Sequence, residues 1–270
     1  MKVLLTGAFN YTNEQLNMIN KLGYSIIYVE NELQTIEVDV QNIEVVVCNA
    51  LFLYNKIENF KKLKFIQTTS VGLNRLPLDY IRRNSIKVFN AGNTYSIPIA
   101  EFAIMGILNI YKHNDFFLKN KFNKIWEKNR NLLELTDKNV LIMGYGNIGM
   151  EIAKRLIPFN VNIYAYDINE VRNENVIYEN DYNKILHKMD IIILTLPLTS
   201  ETFHLINESF ISKLKDNITL VNVSRGALID EKALIYGLEN NKFLSVALDV
   251  FEEEPLTSDS ILWDYSNVYI

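Results

Sequence analysis

Val140-Leu141-Ile142-Met143-Gly144-Tyr145-Gly146-Asn147-Ile148-Gly149 is the stretch that decides the fold of this chain. An apolar strand runs directly into a Gly-x-Gly-x-x-Gly spacing, and the residues from Ile148 to Ile157 follow with helical periodicity. Strand, glycine turn and helix in that order open a dinucleotide-binding β-α-β unit. Gly144 permits the tight turn, Gly146 lets the backbone approach a pyrophosphate, and Gly149 lets helix and strand pack closely. The first N–H groups of the helix then face the phosphate, where the helix dipole favours negative charge. The next strand, 162–166, ends in Asp167, near the offset of about 20 residues at which an acid binds the adenosine ribose. A carboxylate there accepts from the ribose 2′-OH and repels a 2′-phosphate, so NAD is favoured over NADP.

Working outward, strands at 140–143, 162–166, 191–195, 219–223 and 245–249 alternate with helices near 148–157, 182–188, 208–213 and 231–240. Upstream, strands at 2–6, 25–29, 45–48, 65–68 and 87–89 alternate with helical patterns near 13–22, 56–63 and 78–83. A long helix at 97–114 and a polar stretch at 115–131 join the two sets. The expected fold is α/β, with two Rossmann-like or flavodoxin-like lobes built on parallel sheets. The changeover near 90–96 divides a first lobe, 1–93, which the resemblance below implies to be the substrate-binding one, from an NAD-binding Rossmann domain, 94–270.

Bulk properties exclude other classes. The 270 residues are 49% hydrophobic and 22% charged, with a net charge of −5. An acidic chain lacks the basic face that nucleic acid or an anionic membrane requires. No apolar run approaches the ~20 residues of a membrane span. The single Cys48 sits in a strand pattern, which suits buried packing and a cytoplasmic location. No metal site is expected.

Further motifs lie downstream: Leu196-Pro197-Leu198-Thr199 with Thr202 and Leu205-Ile206-Asn207, then Asn222-Val223-Ser224-Arg225-Gly226, then Asp249-Val250-Phe251 with Glu254-Pro255. In this order, and with the glycine turn, they resemble the D-isomer-specific 2-hydroxyacid dehydrogenases over nearly the whole chain. The resemblance implies that Arg225 holds the substrate carboxylate and the oxygen of the reacting carbon, a task suited to a guanidinium fork. Glu254 would pair with a catalytic histidine, raising its pKa and orienting its ring. Asp249 would lie near the nicotinamide ribose. Backbone groups of Asn147-Ile148, Leu196-Pro197 and Val223-Ser224 would line the dinucleotide path, with Thr202 in the same loop. Ser70-Val71-Gly72, after the strand at 65–68, resembles the family's substrate-carboxylate loop, an anion nest of backbone N–H groups. The partners implied are a small 2-oxo or 2-hydroxy acid and a second copy of the chain. The homodimer would form through the cofactor lobe, with the long helix and Phe116, Phe117, Phe122 and Trp126 as candidates.

The sequence departs from the family in one main respect. The family's proton donor is a histidine after a strand that here would be 267–270, and the chain has only His113, His187 and His204. Each of these reads as structural or surface. The expectation is therefore a C-terminally truncated form of a larger enzyme, without its catalytic histidine and without the helix that covers the first lobe. That lobe should expose apolar surface. The competing reading is a non-catalytic NAD-binding regulator or a degenerate paralogue. Asn74 and Tyr95 stand where the family often has Asp, and Asn or His; they leave the substrate subgroup open.

Overall fold

The structure is a computed structural model that describes residues Met1–Ile270. It divides into two units, Met1–Thr94 and Tyr95–Ile270.

In the first unit, β1 (Lys2–Thr6), β2 (Ser25–Val29), β3 (Val45–Cys48), β4 (Phe65–Thr68) and β5 (Lys87–Phe89) form a parallel sheet ordered β2-β1-β3-β4-β5. This is the flavodoxin-like order. The helices are α1 (Asn13–Lys21), α2 (Leu51–Tyr54) and α3 (Leu78–Arg83). One sheet face, carrying Leu4, Val46, Cys48 and Ile66, packs on Leu51, Ile57, Phe60, Leu63 and Ile81. Helix α1 is set by a capping box, in which Thr12 accepts from the Gln15 N–H while the Gln15 side chain accepts from the Thr12 N–H. It buries none of its residues, and Met18, Leu22 and Tyr28 are exposed.

In the second unit, β6 (Asn139–Met143), β7 (Asn162–Tyr166), β8 (Ile177–Tyr178), β9 (Ile191–Leu194), β10 (Ile218–Asn222), β11 (Phe243–Leu248) and β12 (Val268–Tyr269) form a parallel sheet. Its order is β12-β11-β10-β9-β6-β7-β8. The chain moves outward from β6 to β8, then returns to β9 on the other side, so the strand order reverses between β6 and β9. Both central strands are covered on two faces, which is why they read as unbroken apolar runs. The helices are α4 (Ser96–Tyr111), α5 (Asn114–Asn123), α6 (Asn147–Leu156), α7 (Glu208–Ser212) and α8 (Glu231–Glu239). No helix is long and apolar enough to cross a membrane.

Several expected elements differ. The helix expected over 97–114 ends at Tyr111, because His113 takes a left-handed conformation with φ 48°. A second helix, α5, occupies much of the expected polar stretch. The pattern at 56–63 supports only a 3₁₀ turn at Ile57–Asn59, the crossing being shared with α2. The pattern at 182–188 breaks into two 3₁₀ turns; Ile185, Leu186 and Met189 all enter the core, so the chain follows burial rather than helical propensity.

Candidate functional site

The glycine turn joins β6 to α6 at the carboxyl edge of the second sheet. Gly144 has φ +99°, and its N–H donates to the Tyr166 carbonyl at 2.8 Å. A Cβ there would lie 2.8 Å from the Leu196 nitrogen, so any side chain is excluded by both backbone conformation and the neighbouring strand end. At Gly146 a Cβ would meet nothing within 4 Å, so the turn faces open space. No side chain caps α6, and the first helical bond at its start is Met150 N–H to the Gly146 carbonyl. The N–H groups of Asn147, Ile148 and Gly149 precede that bond and point out of the helix end. A cradle with open space, free donors and a positive dipole end fits a dinucleotide pyrophosphate.

Asp167, directly after β7, closes this cradle on one side. One carboxylate oxygen accepts the Tyr145 N–H at 2.7 Å and the other accepts the Asn169 N–H at 2.9 Å. A carboxylate offers about four lone pairs, so acceptor capacity remains for a ribose diol. The Tyr145 hydroxyl accepts from Asn173 at 3.1 Å. Burial pushes that phenol above its ordinary pKa, and the Asn173 bond opposes the shift.

The loop after β9 lies against the glycine turn. The Thr195 hydroxyl donates to the Gly144 carbonyl at 2.5 Å. The Ser224 hydroxyl donates to the Leu196 carbonyl. The Thr202 hydroxyl donates to the Pro197 carbonyl at 2.6 Å and accepts from the Thr199 N–H at 2.8 Å. Ser224 and Thr202 therefore spend their hydroxyls on shaping this loop.

The arginine turn follows β10. Asn222 is fully buried; its side chain accepts from the Ser224 N–H at 3.1 Å and donates to the Arg225 carbonyl at 2.9 Å. One amide thus bends the chain at the sheet edge. Arg225 is half-buried, and its guanidinium donates to the Ser224 carbonyl at 2.7 Å. Gly226 lies so close to Phe251 and Glu252 that a Cβ would overlap their backbone. The Asp249 N–H donates to the Asn222 carbonyl at 3.0 Å, and the Phe251 N–H donates to a Glu254 carboxylate oxygen at 3.2 Å. The Glu254–Pro255 peptide is cis. Partial burial, then the charge of Glu254, push the Asp249 carboxyl above its ordinary pKa. Arg225, Asp249 and Glu254 are thus carried by segments tied to one another.

The histidines are engaged elsewhere. His204 Nε2 lies 2.9 Å from a Glu252 oxygen, and its ring stacks on Phe203. His113 Nε2 is 3.1 Å from the Asn131 carbonyl, and His187 is exposed in its turn.

In the first unit, residues 68–72 form a looped turn at the carboxyl edge of β4. Thr68 donates its hydroxyl to the Ser70 carbonyl at 2.7 Å, and Ser70 donates its own to the Gly72 carbonyl at 3.0 Å. Asn90 fixes Val71 through a bond of its amide to the Val71 carbonyl at 3.0 Å. The carbonyls are held by these bonds, which leaves the successive N–H groups of Ser70, Val71 and Gly72 on the loop. Reasoning from motifs gave no role to Thr195, Asn222 or Asn90. Their signal is a short polar side chain at a strand end, and it becomes readable once the sheet order is known.

A glycine-turned β-α-β unit, with an acid at the end of its second strand and the turn at a topological switch point, defines a dinucleotide-binding domain. Residues 104–270 match the family described as "D-isomer specific 2-hydroxyacid dehydrogenase, NAD binding domain", and the chain belongs to that family. It is 34% identical over 204 residues to a hydroxypyruvate reductase of Thermotoga maritima, covering 75% of this chain and 67% of that protein. It is 35% identical over 211 residues to a D-3-phosphoglycerate dehydrogenase of Methanocaldococcus jannaschii, covering 76% of this chain and 40% of the relative. The chain thus spans about two thirds of one relative's length and less than half of the other's. Among solved structures it resembles a D-lactate dehydrogenase from Aquifex aeolicus complexed with NAD and lactic acid, with a TM-score of 0.82 and 25% identity. That match covers 98% of this chain and 86% of the other.

Proposed function

We propose that the chain binds NAD(H) in its second unit and serves hydride transfer between that cofactor and a 2-oxo or 2-hydroxy acid. The observation that carries this reading is the packing of Gly226 on Phe251 and Glu252, which ties the Arg225 turn to the segment bearing Asp249 and Glu254.

NAD, when bound, supplies the group that accepts or gives the hydride. The chain's part is binding and orientation. Gly146, Asn147, Ile148 and Gly149 present backbone N–H groups to the pyrophosphate, and Gly144 shapes the turn. Asp167 accepts from the adenosine ribose and disfavours a 2′-phosphate, which makes NAD the preferred form. Backbone groups of Leu196, Pro197, Val223 and Ser224 line the path, with Thr202 bracing the loop and Asp249 near the second ribose. Arg225 donates to the substrate carboxylate and to the oxygen where charge develops. Ser70, Val71 and Gly72 offer an anion nest that suits a carboxylate. Glu254 would pair with a proton-donating imidazole, which none of His113, His187 and His204 supplies. In this reading the first unit is the substrate lobe and the second the NAD domain, and two copies pair through the exposed apolar side chains of and after α5.

A second reading is NAD binding without turnover. It is favoured by the engagement of His204 with Glu252 rather than Glu254. Titration with NADH, followed by NADH oxidation with glyoxylate, hydroxypyruvate and pyruvate, separates the two. Turnover of any of these acids supports the first reading. Binding with flat traces, in a chain extended by a segment that supplies a proton-donating histidine, supports the second, and absence of binding sinks both.

A further inference from the structure

The segment carrying Glu254 is held in part by a residue the mechanism does not use. His204 follows the loop after β9 and has φ 50°, a left-handed conformation uncommon for a residue with a side chain. Its N–H donates to the Ala227 carbonyl at 2.9 Å, within the turn that carries Arg225. Two residues on, Ile206 donates to the Leu228 carbonyl at 3.0 Å and bridges to Ile229. The Asn207 amide holds the His204 carbonyl at 3.1 Å. The backbone of His204 is therefore fixed from both sides. From that fixed point its ring stacks on Phe203, centroids 3.9 Å apart, and Nε2 reaches a Glu252 oxygen at 2.9 Å. Upstream, the same loop is stapled by Thr202 to Pro197 and by Ser224 to Leu196.

We propose that His204 is a positioning residue: through Glu252 and Ala227 it couples the loop of residues 196–202 to the two segments that carry Arg225 and Glu254. When the loop is ordered by a dinucleotide, His204 transmits that order to the substrate-handling side chains. The second half of this inference rests on the dinucleotide reading above; the clamp itself does not.

Hydrogen exchange of the 270-residue protein, read peptide by peptide, tests it. Wild type is compared with H204A, E252A, the double variant and H204Q, whose amide nitrogen can take the place of Nε2. Without cofactor, each single alanine variant speeds exchange of amides 250–254 by about threefold to fivefold, the scale of one hydrogen bond to a charged group at a half-exposed site. The double variant is no faster than either single one, and H204Q exchanges like wild type. Additive effects, or no effect, overturn the clamp. If H204A fails to fold, E252A against H204Q decides the same question from the more exposed partner. Saturating NADH slows exchange at 250–254 in wild type, while in H204A it binds without doing so; equal protection in both overturns the coupling. If wild type binds no NADH, the dinucleotide reading fails, while the cofactor-free cycle still decides the clamp.

Discussion

Asp167 Oδ2 stands 2.7 Å from the backbone nitrogen of Tyr145, the residue between the first two glycines of the turn. The acid that would read the ribose is therefore also a brace for the turn that would hold the pyrophosphate. Asp167→Asn keeps an acceptor for Tyr145 and removes the charge. It is expected to weaken NADH binding by about tenfold, the scale of a hydrogen bond to a charged acceptor, and to improve NADPH binding. Fluorescence titration of both nucleotides checks this, and an unchanged preference between them would remove Asp167 from the ribose site.

Gly226 and Gly144 are expected to be the least tolerant positions at the sheet edge. Gly226→Ala forces apart the arginine turn and the backbone of Phe251, and Gly144→Ala combines φ +99° with a close approach to Leu196. Each should lower stability by about 1–3 kcal/mol. Gly146→Ala, facing open space, should cost far less stability and should instead weaken NADH binding. Urea midpoints for the three variants give the order.

Arg225→Lys keeps the charge and loses the planar fork. With a 2-oxo acid as substrate, kcat/KM is expected to drop by roughly 100-fold while NADH affinity stays within about twofold. A parallel loss of NADH affinity would move Arg225 from the acid to the cofactor.

Alkaline stability should report on two phenols. Burial first, then nearby negative charge, push Tyr11 and Tyr269 from 10.0 up to about 12; for Tyr269 that charge is Asp115, which accepts its hydroxyl at 3.2 Å. Above pH 10 the unfolded chain releases these protons and the folded chain retains them, so stability declines as pH rises from 10 toward 12. Tyr269→Phe should flatten part of that decline, measured as urea midpoints at pH 9, about 10 and about 11.

Trp126 is 97% exposed and Phe122 83% exposed, and Phe117 and Leu118 on α5 are exposed as well. Large apolar side chains exposed together mark an interaction surface. Phe122→Asp with Trp126→Ala is expected to convert a dimer to a monomer in sedimentation at micromolar concentration. A wild-type monomer under the same conditions would remove this surface from the dimer reading.

Much of this architecture was readable from the strands. Central parallel strands are buried on both faces, so Val140-Leu141-Ile142-Met143 and Ile191-Ile192-Ile193-Leu194 announce themselves without alternation. The glycine turn was readable because Gly144 and Gly149 answer local backbone demands, while Gly146 leaves open space. The crossings were harder. At 182–188 the apolar spacing suits a helix, yet the burial of Ile185, Leu186 and Met189 in one core draws the chain into two tight turns. Left-handed His113 and His204 leave no mark in composition, since only tertiary contacts hold a residue with a Cβ there. For the same reason Asn222 was visible as part of a motif but not as the amide that bends it.

Gly226 carries an implication for protein engineering. Because its Cα face touches the main chain of Phe251 and Glu252, the arginine-bearing turn and the acid-bearing segment share one steric boundary despite their separation in sequence. Transplanting either segment alone into another scaffold would import half of a fitted surface. A chimera that swaps both segments together inherits the boundary intact; single-segment swaps would need backbone redesign before any side chain could be judged.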